Sequence, residues 1–170
     1  MKTDIGEYVV GAWLKMIEKC DFVDYNVHFP GGGREGLNEM DIVGLNFKKK
    51  TAYLCEVTTH VRGIQYTDNK TTVEKIIKKY ETQRRYARKH LKSFPKKRFM
   101  FWSPVVPVGF ITDRLLKIHE LELMINGDYT EQVRKLEKLA RKQKQDTNNP
   151  FFRMLQIMAS LRKDKMKKFS

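Results

Sequence analysis

Apolar residues recur at helical spacing over residues 3–19. Ile5, Val9, Ala12, Trp13, Met16 and Cys20 form one stripe, which Val10, Leu14 and Ile17 widen. Thr3 or Asp4 stands where such a helix takes its cap, and a stripe this wide predicts extensive burial. From Phe22 to Phe29 the pattern changes to the alternation of a strand, ended by Pro30-Gly31-Gly32-Gly33. Two short apolar runs follow, Leu37–Val43 and Tyr53–Thr58, either side of the polar turn Lys48-Lys49-Lys50-Thr51. They read as a β-hairpin. Helical spacing returns from about Lys70 to Leu91 through Val73, Ile76, Ile77, Tyr80 and Ala87, with Thr71 or Thr72 as cap. Lys96–Trp102 is a fourth strand, closed by Ser103-Pro104.

Beyond an apolar connector, Asp113–Ile125 reads as an amphipathic helix ended by Asn126-Gly127, and Tyr129–Lys144 as another, ended by Asn148-Asn149-Pro150. Phe151–Leu161 is a last apolar helix before a lysine-rich tail. The order α-β-β-β-α-β followed by helices predicts an α/β fold, a mixed sheet with helices packed on it. The expected division is a core over 1–112 and a helical extension over 113–170 packed on that core.

Composition narrows the classes of function. The chain has 170 residues, 41% of them hydrophobic, enough for a single domain with a core of its own. No apolar run approaches the roughly 18 residues of a membrane span, and the start of the chain lacks the basic-then-apolar pattern of a signal peptide. Cys20 and Cys55 read as buried thiols of a reducing, cytoplasmic compartment. The formal net charge is +14, unevenly placed. Residues 70–98 hold 12 basic residues against 2 acidic ones, while residues 1–69 hold 8 against 10. A strongly basic helix beside an acidic first third points to a polyanion, nucleic acid foremost, held by one part of the molecule while carboxylates act in another.

Those carboxylates are Asp41 and Glu56, one on each strand of the hairpin. If Phe47 pairs with Ala52 across the turn, Glu56 falls diagonal to Asp41; a register two residues different sets them directly opposite. Either way two acids come together on an apolar hairpin, which is unfavourable without a cation or hydrogen-bond donors. A divalent metal and a salt bridge to a helix-borne Arg or Lys are the two compensations available. The glycine run at 31–33 is either a flexible loop or a phosphate cradle, without the Lys-Ser/Thr ending of a P-loop.

Gly6-Glu7 on the first helix, Asn38-Glu39-Met40-Asp41-Ile42-Val43, Cys55-Glu56-Val57-Thr58 and Gln83-Arg84-Arg85 on the next helix occur in the order found in the PD-(D/E)XK nuclease superfamily. Over residues 3–102 the chain resembles that superfamily, and within it the group that includes archaeal Holliday-junction resolvases. The resemblance implies a restriction-endonuclease-like αβββαβ core and a Mg²⁺-dependent nuclease acting on DNA, with Mn²⁺ able to substitute and RNA not excluded. It also implies metal ligation by Asp41, Glu56 and the backbone carbonyl of Val57, with Glu7 approaching from the first helix and Gln83 and Arg84 near the scissile strand. A homodimer would suit cleavage of both strands. Independently, hydrolysing an anionic phosphodiester calls for a cation that neutralises charge and acidifies a water, and Mg²⁺ takes one or two carboxylates with waters and phosphate oxygens.

The departure is Thr58, where the superfamily carries lysine. Lys75 or Lys79 on the following helix is close enough in sequence to stand in; alternatively Thr58 itself or a second metal does the positioning, or the site is inactive and the fold is kept for binding. Arg62, Lys78, Arg84, Arg85, Arg88 and Lys89 are the candidate phosphate contacts. Glu39 faces either the site or solvent, and His60 is a general-base candidate that an activated water would not need. Phe101 and Trp102 read as core. The remaining alternatives to a nuclease are an inactive nucleic-acid binder of the same fold and a basic scaffold whose C-terminal helices bind a protein or an anionic membrane.

Overall fold

The computed structural model describes residues 3–28, 39–64 and 66–167; the glycine run at 31–33 and the beginning of the hairpin stretch at 37–38 lie outside the described residues. The elements are α1 (Ile5–Met16), β1 (Phe22–His28), β2 (Glu39–Asn46), β3 (Thr51–Val57), α2 (Asn69–His90), β4 (Lys96–Ser103), α3 (Phe110–Leu115), β5 (Leu121–Ile125), α4 (Asn126–Ala140) and α5 (Pro150–Lys167). The strands form one sheet in the order β1-β2-β3-β4-β5. β1 with β2 and β2 with β3 pair antiparallel, whereas β3 with β4 and β4 with β5 pair parallel. Mixed pairing follows from the connections, since a tight turn joins β2 to β3 whereas α2 carries the chain from β3 back to β4.

Each face of the sheet buries its own core. On one side Val10, Trp13 and Leu14 of α1 meet Ile42, Tyr53, Cys55, Met100 and Trp102, with Leu136 of α4 and Phe152 of α5 completing the layer. On the other, Val73, Ile76 and Tyr80 of α2 and Leu115 of α3 cover Val43, Leu54, Phe99 and Phe101. Phe101 and Trp102, adjacent on β4, thus go to opposite cores as strand alternation requires. Cys20 and Cys55 are free and buried. Among the described residues no helix is long and apolar enough to cross a membrane. α5 turns Phe151 and Phe152 inward and leaves Met154, Ile157, Met158 and Leu161 exposed.

The hairpin register is decided by Asn46. Its side-chain oxygen accepts from Lys49 N at 2.7 Å, while its amide donates to the carbonyls of Glu18 and Lys19 at 2.9 and 3.0 Å. This closes a turn over Phe47–Lys50, with Lys50 in the left-handed region at φ 49°, and pairs Asn46 with Thr51. Phe47 is therefore a turn residue, its ring 5.8 Å from that of Phe94. The register set by Ile42 opposite Cys55 continues to Asp41 opposite Glu56, the second of the two alternatives.

Three local expectations are corrected. Asp113–Ile125 is not a helix: α3 stops at Leu115, and Leu121, Leu123 and Ile125 alternate along β5 beside the parallel edge of β4. Leucines at this spacing satisfy a helix and a strand alike, and the open edge of β4 settles the choice. Asn126-Gly127 begins α4 rather than ending a helix, because the Asn126 amide anchors the connector, accepting from Val106 N at 2.7 Å and donating to Val106 O at 3.0 Å. α2 is capped one turn earlier than Thr71 or Thr72, by Asp68, whose carboxylate accepts from Thr71 N at 2.8 Å. The segment from 113 onward consequently adds a strand to the sheet as well as helices.

Candidate functional site

Asp41 and Glu56 stand at the end of the hairpin remote from its turn, where β2 begins and β3 ends. Glu56 is 7% exposed. Asp41 Oδ2 accepts from Val57 N at 2.7 Å, which fixes that carboxylate against the last residue of β3. Lys79 reaches across from α2, pairs with Glu56 Oε1 and lies 3.9 Å from Asp41 Oδ1. A lysine thus meets both acids, from the helix that follows β3.

Burial, and after it the charge of Asp41, push Glu56 well above the usual carboxylate range, against the pull of Lys79. Burial opposes the charge on Lys79, but Glu56 and then Asp41 outweigh it and raise the ammonium above its ordinary value. The two shifts pull in opposite senses on one contact, since a protonated Glu56 would offer the ammonium less. The direct Lys79–Glu56 contact, with Asp41 as a second counter-charge, favours the charged pair. Two carboxylates against one ammonium leave an excess negative charge at the end of the sheet.

Glu7 approaches from α1, whose first turn is fixed by Asp4 accepting from Gly6 N at 2.8 Å. Gly6 is required for the approach, because a methyl group there would overlap Thr59 Cγ2 just beyond β3. Burial and then the Asp41 charge push the Glu7 carboxyl up to about 7. Asn26 donates to Glu7 Oε2 at 3.3 Å. Asn26 sits within β1 at the position that would face Asp41, and its φ of 53° turns it out of the ladder. Sequence reasoning missed this residue; the only available hint was that asparagine tolerates the left-handed region.

The other candidates divide. Lys75 is exposed and stacks its ammonium 3.9 Å from the centroid of the Tyr66 ring, so of the two lysines Lys79 is the one beside the carboxylates. Thr58 is half-buried, and its N donates to Trp102 O at 2.9 Å, extending the β3–β4 ladder. Gln83, one turn beyond Lys79, is 1% exposed and its Oε1 has no hydrogen-bond partner among the described residues. It does not belong to a solvated face. Arg84 points elsewhere, to Glu120 at 3.3 Å, so the Gln83-Arg84 pair is split between two surfaces. Arg62, Lys78, Arg85, Arg88, Lys89 and His60 are exposed. The Glu39 side chain is only 8% exposed and faces His28 at 3.8 Å.

Among the described residues no three His, Cys, Asp or Glu side chains gather into a metal cage. A hard cation at this end of the sheet would rest on two carboxylates, with backbone carbonyl and water oxygens completing the shell, a donor set that suits Mg²⁺. The excess negative charge and the upward pressure on Glu56 are what such a cation would relieve. No family model matches the chain, and neither a curated protein nor a solved structure matches it. The fold and the geometry of the carboxylates carry the functional argument.

Proposed function

We propose that the protein is a metal-dependent nuclease of the PD-(D/E)XK type, hydrolysing phosphodiester bonds in DNA within a reducing, intracellular compartment. The observation that carries this reading is the meeting of Asp41, Glu56 and Lys79, two acids from adjacent strands and a lysine from the next helix. Further support comes from the order α1-β1-β2-β3-α2-β4 and the mixed strand pairing, which agree with what the resemblance implies.

Asp41, Glu56 and the Val57 carbonyl would hold Mg²⁺, which supplies charge neutralisation and a more acidic water. Lys79 takes the part of the missing lysine: its ammonium faces the charge that develops on the phosphate oxygens and orients the attacking water. Glu7, with a carboxyl that titrates near neutrality, holds a water proton at the edge of the site. The exposed Lys78, Arg88 and Lys89 of α2 contact phosphates without reading sequence. Incubating the protein with duplex, single-stranded and branched DNA in Mg²⁺ and in Mn²⁺ tests the reading. Cleavage that is lost in Asp41→Asn supports it.

A second reading is favoured by one observation. Lys79 already compensates Glu56, as a purely structural salt bridge would, in an inactive nucleic-acid binder. That reading requires DNA affinity without cleavage, and no Mn²⁺ binding that Asp41→Asn abolishes.

A further inference from the structure

Between the first turns of α2 and the length of α3 lies a groove of about 430 Å³, a size that accommodates a small ring system. Ile77, Ile118 and Phe110 give it an apolar bed, and Lys70, Arg114 and Lys117 stand around it. Its acidic member, Glu74, faces Lys70 at 3.9 Å. Phe110 is 46% exposed, and the Arg114 guanidinium lies 5.3 Å from the centroid of its ring. An exposed aromatic, an apolar floor and an excess of cations therefore occupy one concave surface.

We propose that this groove is a stacking subsite for an unpaired base of the nucleic-acid substrate, with Phe110 the platform and Arg114 and Lys117 the phosphate contacts. The inference rests on the nuclease reading and specifies its substrate class as nucleic acid with a single-stranded flank, flap or branch. A base with its attached phosphate uses both properties of the groove, because its face stacks on an aromatic ring while cations meet the backbone. An acidic peptide would use the charge and leave the ring without a partner. A paired base hides its faces in the helical stack, so only an unpaired one can present them.

The position fits the same substrate. Helical spacing puts Lys79 and the groove on opposite flanks of α2, separated by about the 10–12 Å width of a helix, with exposed Lys78 between them. A flexible single strand can bend around that surface, whereas a rigid duplex cannot.

The test uses the full chain in chelator, so that nothing is cut, and measures binding of a labelled oligo-dT strand and of a blunt duplex. Phe110→Ala should weaken the single strand roughly tenfold or more, the scale of one lost stacking contact, and leave the duplex unchanged. Phe110→Trp should keep the affinity and show tryptophan quenching by the oligonucleotide, against the background of buried Trp13 and Trp102. Unchanged single-strand binding by Phe110→Ala, equal loss on both probes, or tryptophan quenching in Phe110→Trp by poly-glutamate but not by oligo-dT overturns the subsite. The outcome is separable from the nuclease reading. If the wild-type protein cuts DNA in Mg²⁺ but Phe110→Ala shows no single-strand binding defect, only the subsite fails. If no substrate is cut while the single-strand defect appears, only the nuclease fails.

Discussion

Lys79 pairs with Glu56 across the gap between α2 and β3, and the same ammonium lies 3.9 Å from Asp41. A charge that a lysine at position 58 would bring along the strand arrives instead from the helix above it. Lys79→Met should lower cleavage by about 10²–10³-fold, the usual scale for removing one donor to a developing oxyanion. Thr58→Lys added to Lys79→Met should recover a substantial part of that loss, since under the nuclease reading the site needs an ammonium rather than a particular backbone position. Single-turnover rates at saturating metal measure both.

Asp41→Asn removes half of the carboxylate pair while leaving an oxygen to accept from Val57 N. Mn²⁺ affinity measured by calorimetry should fall by at least an order of magnitude. In the wild-type protein, Mn²⁺ at about a hundred times its dissociation constant should add about 2.7 kcal/mol of stability, by linkage. The variant should show little of that gain.

Glu7 offers a pH test in the metal-free protein. Its folded value near 7 lies above the ordinary 4.5, so the native state holds its proton more tightly than the unfolded chain does. Stability from this group is complete below about 4.5 and is lost as pH rises through about 7. Glu7→Gln, which cannot ionise, should therefore gain on the wild type as pH goes from 5 to 8. Denaturant midpoints in chelator give the comparison, and a difference independent of pH contradicts it.

Gly6→Ala should destabilise the protein by about 1–3 kcal/mol, the range for overpacking, because its methyl overlaps Thr59 Cγ2. The double variant Gly6→Ala/Thr59→Ser removes the offending methyl and keeps the hydroxyl that donates to Asp4 at 3.0 Å. It should return most of the stability, read as thermal midpoints.

The exposed basic residues of α2 should reveal themselves through salt. Each of Lys78→Ala and Arg88→Ala should reduce the slope of log affinity against log salt by about 1 if it contacts a phosphate. Duplex binding in chelator at several salt concentrations measures it.

The sequence alone determined the elements whose burial pattern allows one answer. The wide stripe of α1, the hairpin strands, the period of α2 and the apolar run Phe99–Trp102 all reappear where alternation or helical spacing put them, because each side chain there serves a single buried face. It also singled out Asp41 and Glu56, since two acids on an apolar hairpin demand compensation. Tertiary structure decided what depends on a partner distant in the chain. Leu121–Ile125 became a strand because β4 had an open edge. Asp41 came to lie opposite Glu56 because Asn46 locked the turn onto the Glu18 and Lys19 carbonyls just beyond α1. Asn26 reached Glu7 through a left-handed backbone turn that no periodicity encodes. Lys75 and Lys79 were equal on paper, and packing separated them by sending one to Tyr66 and the other to the carboxylates. Under the nuclease reading, Lys79 brings from α2 the charge that the superfamily motif places at position 58, because the position of a charge is set by the whole fold while a motif specifies only its order along the chain.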